Sequence, residues 1–339
     1  MLRMFKVQGT TLREDTVLRG EVNDEMREEV ISNDENNSGE SLKLAMANAV
    51  WIDAHEASDE EREALNTFLR AELPESDDVE EIEFSARYFQ DDEGVHVHSL
   101  FLSPGEAGRH NTVTVAFLLQ DKRLITVREG DLADFRLLRM RARRGQVHVT
   151  SPQGLLITMF EQKVENLADA LEDIHRTLEE VSHLVLEDED SELEDAIDKL
   201  AKLEDSNGKI RLCLMDTQRS ISFLQRYIRD NNELQETARE IKRDVDTLMS
   251  HTAFLFDKIN FLMDSTQGFI NIEQNQIIKT FSVASVIFLP PTMVASFWGM
   301  NFDDMSVLKS VGHGWIVGLL LMLLSAAVPY WYFKSKDLL

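Results

Sequence analysis

Basic side chains are in short supply: 35 Lys and Arg stand against 61 Asp and Glu in 339 residues, a formal net charge of −26 at pH 7. Nucleic acid is thereby excluded as a partner, because its phosphates would be repelled, and a cationic partner such as a metal ion fits. There is one cysteine, Cys213, so no intramolecular disulfide forms, and the bulk of the chain suits a reducing cytoplasm. Taken alone, Cys213 reads as a small core residue. The N-terminal MLRMFKVQGT lacks an apolar run of signal-peptide length, which leaves any membrane insertion to the other end of the chain. No Gly-x-x-x-x-Gly-Lys phosphate loop occurs to hydrolyse a nucleotide, and the chain reads as a non-enzyme that needs no organic cofactor. Proline and glycine are almost absent between Gly154 and Pro290, with Gly208 and Gly268 the exceptions. Long helices are expected there.

What is present is concentrated at the C-terminus. Residues 281–298, FSVASVIFLPPTMVASFW, and 315–333, WIVGLLLMLLSAAVPYWYF, carry no charge, and each is long enough to cross a bilayer as a helix. The absence of charge also rules out a proton relay within either span. Stepping by three and four residues from Asn275 gives Ile278, Ser282, Ser285, Leu289, Thr292, Ser296 and Gly299, one helical face rich in hydroxyl and amide groups. Such a face is expected to meet water and line a pore. Two helices per chain cannot enclose an aqueous path, so several copies must surround an axis and the protein is expected to be a homo-oligomer in lipid. Lys334 and Lys336 follow the second span and favour a cytoplasmic location for both termini.

At Gly299, Met300 and Asn301, after a proline-containing first span and before a second span, the chain resembles the CorA family of magnesium transport proteins. The resemblance extends to NAVWID at 48–53, SARYF at 85–89, RLCLMDTQR at 211–219 and GFINIEQN at 268–275, and is close to the enterobacterial branch. It implies a pentamer in the bacterial inner membrane that conducts Mg²⁺, and also Co²⁺ and Ni²⁺, down the electrochemical gradient under control of intracellular Mg²⁺. By the same resemblance Asp264 matches a regulatory Mg²⁺ site between subunits, with Glu81 as its counterpart on the neighbouring domain. Mg²⁺ holds its water tightly, so the ion should pass hydrated. A ring of Asn301 amides would meet its water shell, with Gly299 turning the chain and Met300 packing behind. Asn275 and Thr292 would form further polar rings, with Ile278 and Leu289 as constrictions. Pro290 and Pro291 free the carbonyls of Val286 and Ile287, which would turn toward the pore. The outer loop departs from the family at Val307, where an acidic residue is usual, and Trp298 replaces the usual tyrosine; Asp303 and Asp304 can supply the lost attraction. Two other readings remain at this point: a zinc transporter of the related branch, and a divalent-cation sensor that does not conduct.

The rest of the chain reads as an α/β cytoplasmic domain with an antiparallel-rich sheet over 1–150, with 32–41 a disordered loop. Long cytoplasmic helices fill 151–230, over 160–186 and 191–229. A stalk helix over 231–300 continues into a first transmembrane helix at about 280–299. An outer loop at 301–313, a second transmembrane helix at 314–333 and a basic tail at 334–339 complete the chain. Within the domain, Ser58 and Glu61 form a capping box, and Asp91-Asp92-Glu93-Gly94 is a hairpin turn. His96 and His98 share a strand face at a metal-binding spacing, but no third ligand is evident. Arg139, Arg141, Arg143 and Arg144 are expected to pair with carboxylates. The run EDEDSELED at 187–195 reads as a solvated turn that could concentrate cations. In the stalk, Ile241, Val245, Leu248, Thr252, Leu255, Ile259, Leu262, Thr266 and Phe269 form a coiled-coil seam, expected to run in phase into the pore stripe and to pack against its copies.

Overall fold

A computed structural model of the chain describes residues 1–14, 44–69, 87–105, 108–187, 193–300 and 314–336. These divide into two compact units, Met1–Met263 and Asp264–Leu339. The loop expected at 32–41 lies outside the described residues.

The first unit is built on a mixed seven-stranded sheet. Its strands are β1 (Leu2–Gln8), β2 (Thr11–Glu14), β3 (Trp51–His55), β4 (Tyr88–Gln90), β5 (Val95–Pro104), β6 (His110–Leu119) and β7 (Leu124–Arg128), in the order β2-β1-β3-β7-β6-β5-β4. Every neighbouring pair is antiparallel except β3 and β7, which run parallel from Trp51↔Leu124 to His55↔Arg128. The β4–β5 turn is closed by Asp91, whose Oδ1 accepts hydrogen bonds from the amides of Glu93 (2.9 Å) and Gly94 (3.1 Å). Glycine is required here: Gly94 has φ +151°, and a Cβ would lie 2.5 Å from the Leu119 carbonyl oxygen, a clash no side chain escapes.

Both faces of the sheet are covered. Met4, Ile52, Ala54, Ala116, Leu118 and Ile125 pack with Leu65 of helix α1 (Asp59–Leu69). The expected capping box starts α1: the Ser58 amide donates to Glu61 Oε2 (3.1 Å) and the Glu61 amide to Ser58 Oγ (3.3 Å). The opposite face, with Phe5, Trp51, Phe101 and Phe117, packs against α2 (Ala133–Arg143), α3 (Pro152–Glu187) and α4 (Leu193–Leu224). The basic run lies on α2 and beside it; three of its arginines stand near carboxylates, although Arg141 Nη1 donates its hydrogen bond to Gln162 Oε1 at 2.6 Å. Arg139 Nη1 is 3.3 Å from Asp53 Oδ2, Arg141 Nη1 is 3.6 Å from Glu165, and Arg143 Nε is 2.5 Å from Glu14. Asp53, fully buried, also holds Arg128 at 2.9 Å and accepts from the Thr126 hydroxyl at 2.9 Å.

Helix α5 (Asn232–Trp298) is continuous for 67 residues, about 100 Å at 1.5 Å per residue. Its seam is buried at Ile241, Val245, Thr252, Leu255, Ile259 and Leu262. The apolar members join a cluster that holds Leu171, Leu178 and Val181 of α3 and Leu200 and Ile210 of α4, and Asn207 of α4 donates to the Thr252 carbonyl at 3.0 Å. The seam is therefore filled by the chain's own helices, which corrects the expectation that it packs against other copies. Burial stops at Thr266, and every residue from 271 to 282 is exposed.

Asp134, in the first turn of α2, is buried with one carboxylate oxygen lacking a hydrogen-bond partner. Burial pushes its pKa up from 3.8 to about 7. The folded chain thus keeps a proton that the unfolded chain releases near pH 4, and stability present below pH 4 is lost as the pH rises toward 7. Asp134→Asn, which needs no proton, is expected to raise the thermal unfolding temperature by a few degrees at pH 8. The gain should shrink to nothing near pH 4 in melts across that range.

Candidate functional site

Helix α5 and α6 (Gly314–Ser335) are both long and apolar enough to cross a membrane. On the last turns of α5 the half-buried residues are Val283, Ala284, Ile287, Pro290, Pro291, Val294 and Trp298. On α6 they are Gly318, Met322, Ser325, Ala326, Pro329 and Phe333, at helical spacing and rich in small residues that let two helices approach. These are the faces the two helices turn to each other.

The polar stripe lies on the other side. At about 100° per residue, Ser296 sits about 180° round the helix from Ile287, and Ser282, Ser285, Leu289 and Thr292 fall within about 40° of Ser296. Asn275, Ile278, Ser282, Ser285, Leu289, Thr292, Ser296 and Gly299 are all exposed. Phe281 and Phe288 border the stripe on one side, and Met293 and Phe297 on the other, each more than half exposed. Two of the hydroxyls satisfy themselves on the backbone: Ser285 Oγ donates to the Phe281 carbonyl and Thr292 Oγ1 to the Leu289 carbonyl, both at 2.8 Å. With the proton so used, each oxygen presents its lone pairs outward. A face of acceptors suits hydrated cations.

Pro290 and Pro291 leave α5 unbroken. They are half-buried, on the α6 side. Gly299 and Met300 close the helix, their amides donating to the carbonyls of Ala295 (3.0 Å) and Phe297 (3.3 Å). Asn301, Asp303, Asp304, Val307 and Glu81 lie outside the described residues, as does the middle of the acidic run, 188–192. Asp264 is exposed. With Asp257, Gly268 and Asn271, also exposed, it falls within about 40° of Asn275 round the helix, so this carboxylate shares the face that bears the stripe.

One grouping escaped the sequence reading. Across the β4–β5 turn, ligand atoms of Asp91, Glu93 and His96 lie within 4.8 Å of one another, with His96 Nε2 3.0 Å from Asp91 Oδ2. The third group beside His96 is thus supplied by the turn, five residues away, and not by the strand. His98 stays apart: both ring nitrogens are buried without a partner, and burial lowers its pKa to about 4. His96 is stacked on Phe89 with ring centroids 4.2 Å apart, and its Nε2 ties the strand to the turn through Asp91.

With this geometry established, comparison with known proteins identifies relatives. The family described as CorA-like Mg²⁺ transporter protein matches residues 47–335. The magnesium transport protein CorA of Escherichia coli K12 is 47% identical over 293 residues, covering 86% of this chain and 92% of that protein. Its counterpart in Salmonella typhimurium is 46% identical over 294 residues, covering 86% and 93%. Among solved structures, the complete CorA magnesium transporter of Methanocaldococcus jannaschii is similar in fold, with a TM-score of 0.65, 19% identity, and coverage of 85% of this chain and 91% of that one.

The exposed stripe can be probed with thiols, because Cys213 is buried and its pKa is pushed up to about 12, which keeps it unreactive. Single cysteines at Ser282, Ser285 and Ser296 are expected to react with a hydrophilic maleimide roughly tenfold faster than cysteines at Val283, Ile287 and Val294. Equal rates on the two faces would show that the stripe is not wet.

Proposed function

The chain belongs to the CorA family of Mg²⁺ transport proteins, and from that premise we propose that it conducts hydrated Mg²⁺ through a pore shared by several copies, five by resemblance. The observation that carries this reading is the exposed stripe from Asn275 to Gly299, set opposite the face that α6 covers. A polar helical face turned away from its own partner helix is stable in lipid only if something wet or polar covers it. A common axis between copies meets that demand. Asn275 and Thr292 then form polar rings, Ile278 and Leu289 constrictions that close by excluding water, and Asn301 the ring that meets the hydrated ion, with Asp303 and Asp304 attracting cations at the mouth.

The driving force is the membrane potential, about 2.3 kcal/mol per charge per 100 mV and about double for a divalent ion. The protein resides in the bacterial inner membrane with both termini in the cytoplasm. Co²⁺ and Ni²⁺ enter by the same route. Intracellular Mg²⁺ regulates the pore at Asp264, facing Glu81 of a neighbouring copy; a carboxylate on the stripe's own face supplies the hard oxygen that Mg²⁺ prefers. Charge neutralisation there lets the copies approach and close the axis below the stripe, and loss of the ion releases them.

Mg²⁺ uptake into proteoliposomes, followed with an internal dye, tests both parts. Asn301→Ala is expected to cut Mg²⁺ flux at least tenfold, and normal flux would remove Asn301 from selection. Asp264→Ala is expected to keep conducting when Mg²⁺ is high on the side of the soluble unit, where the unaltered protein shuts. Comparing Mg²⁺ with Zn²⁺ at equal concentration separates the zinc alternative, and tight liposomes with bound Mg²⁺ would mark a sensor.

A further inference from the structure

Gly318 lies on the α6 face that meets α5. A Cβ at this position would be 2.9 Å from Trp298 Nε1, 3.1 Å from Cδ1 and 3.2 Å from Cε2. The edge of the indole therefore fills the volume that any other residue at 318 would need, and a single added methyl must push one helix or the ring aside. The indole N–H is buried and has no hydrogen-bond partner. Shape alone seats the ring.

Trp298 is also the last helical residue of α5. Gly299 and Met300 follow at once, bonded back to the last turn, so a displacement of Trp298 is handed directly to the corner. We propose that Trp298 seated on Gly318 is the positioning contact that sets where Gly299 and Met300 stand, and through them acts on the residue proposed above to meet the hydrated ion. This rests on the reading of that corner as the selecting element. Neither residue touches the ion; both act through the corner. The leverage comes from symmetry, since a shift of a few tenths of an ångström in each copy alters the diameter of a ring by about twice as much. A hydrated ion is recognised through water contacts that fail beyond hydrogen-bond range, so shifts on this scale bear on selection.

The test uses the full-length chain in proteoliposomes, with Mg²⁺ and Ca²⁺ as probe ions and oligomer size measured in detergent. Gly318→Ala is expected to assemble normally while its half-saturating Mg²⁺ concentration rises about tenfold and its preference for Mg²⁺ over Ca²⁺ falls. Adding Trp298→Phe, whose smaller ring vacates the contested space, should return both quantities to within about threefold of the unaltered protein. Asn301→Ala is measured alongside. If it changes selection while Gly318→Ala does not, or if Trp298→Phe fails to rescue Gly318→Ala, the pair is ordinary packing and the inference is overturned. If Asn301→Ala leaves selection unchanged, the corner does not select, and the inference falls with that reading. Should Gly318→Ala not assemble, Trp298→Leu, which removes the ring without adding bulk, is read in the same assays. Lost discrimination supports the seat, and retained discrimination overturns it.

Discussion

An α-helix turns by about 100° at each residue, and that rotation divides the work of α5 among its sides. Over 241–262 one side is apolar and buried by the chain's own α3 and α4. Beyond Thr266 burial ends, and the exposed positions from Asn275 to Gly299 carry a line of hydroxyl and amide groups. The side turned to α6 carries Ile287 and the two prolines, the flanks carry phenylalanine, and the remaining side carries hydroxyls. In a bilayer such an arrangement has few solutions, since backbone and hydroxyl groups must find partners without water from the lipid. Self-bonding of Ser285 and Thr292 to their own helix meets part of the need. The proposed axis shared between copies would meet the rest.

The soluble unit anchors α5 by a different device. Asp216 on α4 is buried and accepts hydrogen bonds from Tyr88 Oη (2.8 Å), Ser99 Oγ (2.5 Å) and the Leu100 amide (2.8 Å), with Lys163 Nζ of α3 at 3.5 Å. Two strands and two helices meet at one carboxylate. Asp53 does the same for β3, β7 and α2 through Arg128 and Arg139. Buried charges of this kind are weak evidence of stability but costly to leave unpaired. They therefore specify which elements lie together, and the seam that α3 and α4 present to α5 inherits that definition.

Much of this was legible in the residues. Alternation and turn chemistry marked β5, β6 and β7, Ser58 and Glu61 marked the start of α1, and the scarcity of glycine and proline marked the long helices. The polar stripe followed from spacing alone, because a helical face needs no tertiary information. Four things did not follow. Helix α2 was read only as a basic run, since its apolar positions Phe135, Leu138 and Ala142 are interleaved with arginines whose carboxylate partners lie far away in sequence. The parallel pairing of β3 with β7 is non-local and leaves no local signal. The seam was assigned to other copies because a four-three repeat does not say whose helix fills the groove. The group around His96 was missed because its neighbours come from a turn that folds back. The corner was recognisable from its residues, while the seat of Trp298 on Gly318 required two helices to be placed side by side.

One feature of α5 bears on how the protein is made. The final buried seam residue of the soluble unit, Leu262, and the first residue of the membrane-crossing stretch, Phe281, are only a few turns of one helix apart. During synthesis the sheet and α3 and α4 emerge first and wait with an open groove, and the segment that closes it leaves the ribosome almost together with the segment that must enter the lipid. Folding and insertion are thus consecutive acts on one continuous piece of chain. A ribosome that stalled between them would leave an exposed groove in the cytoplasm, a substrate for chaperones and proteases.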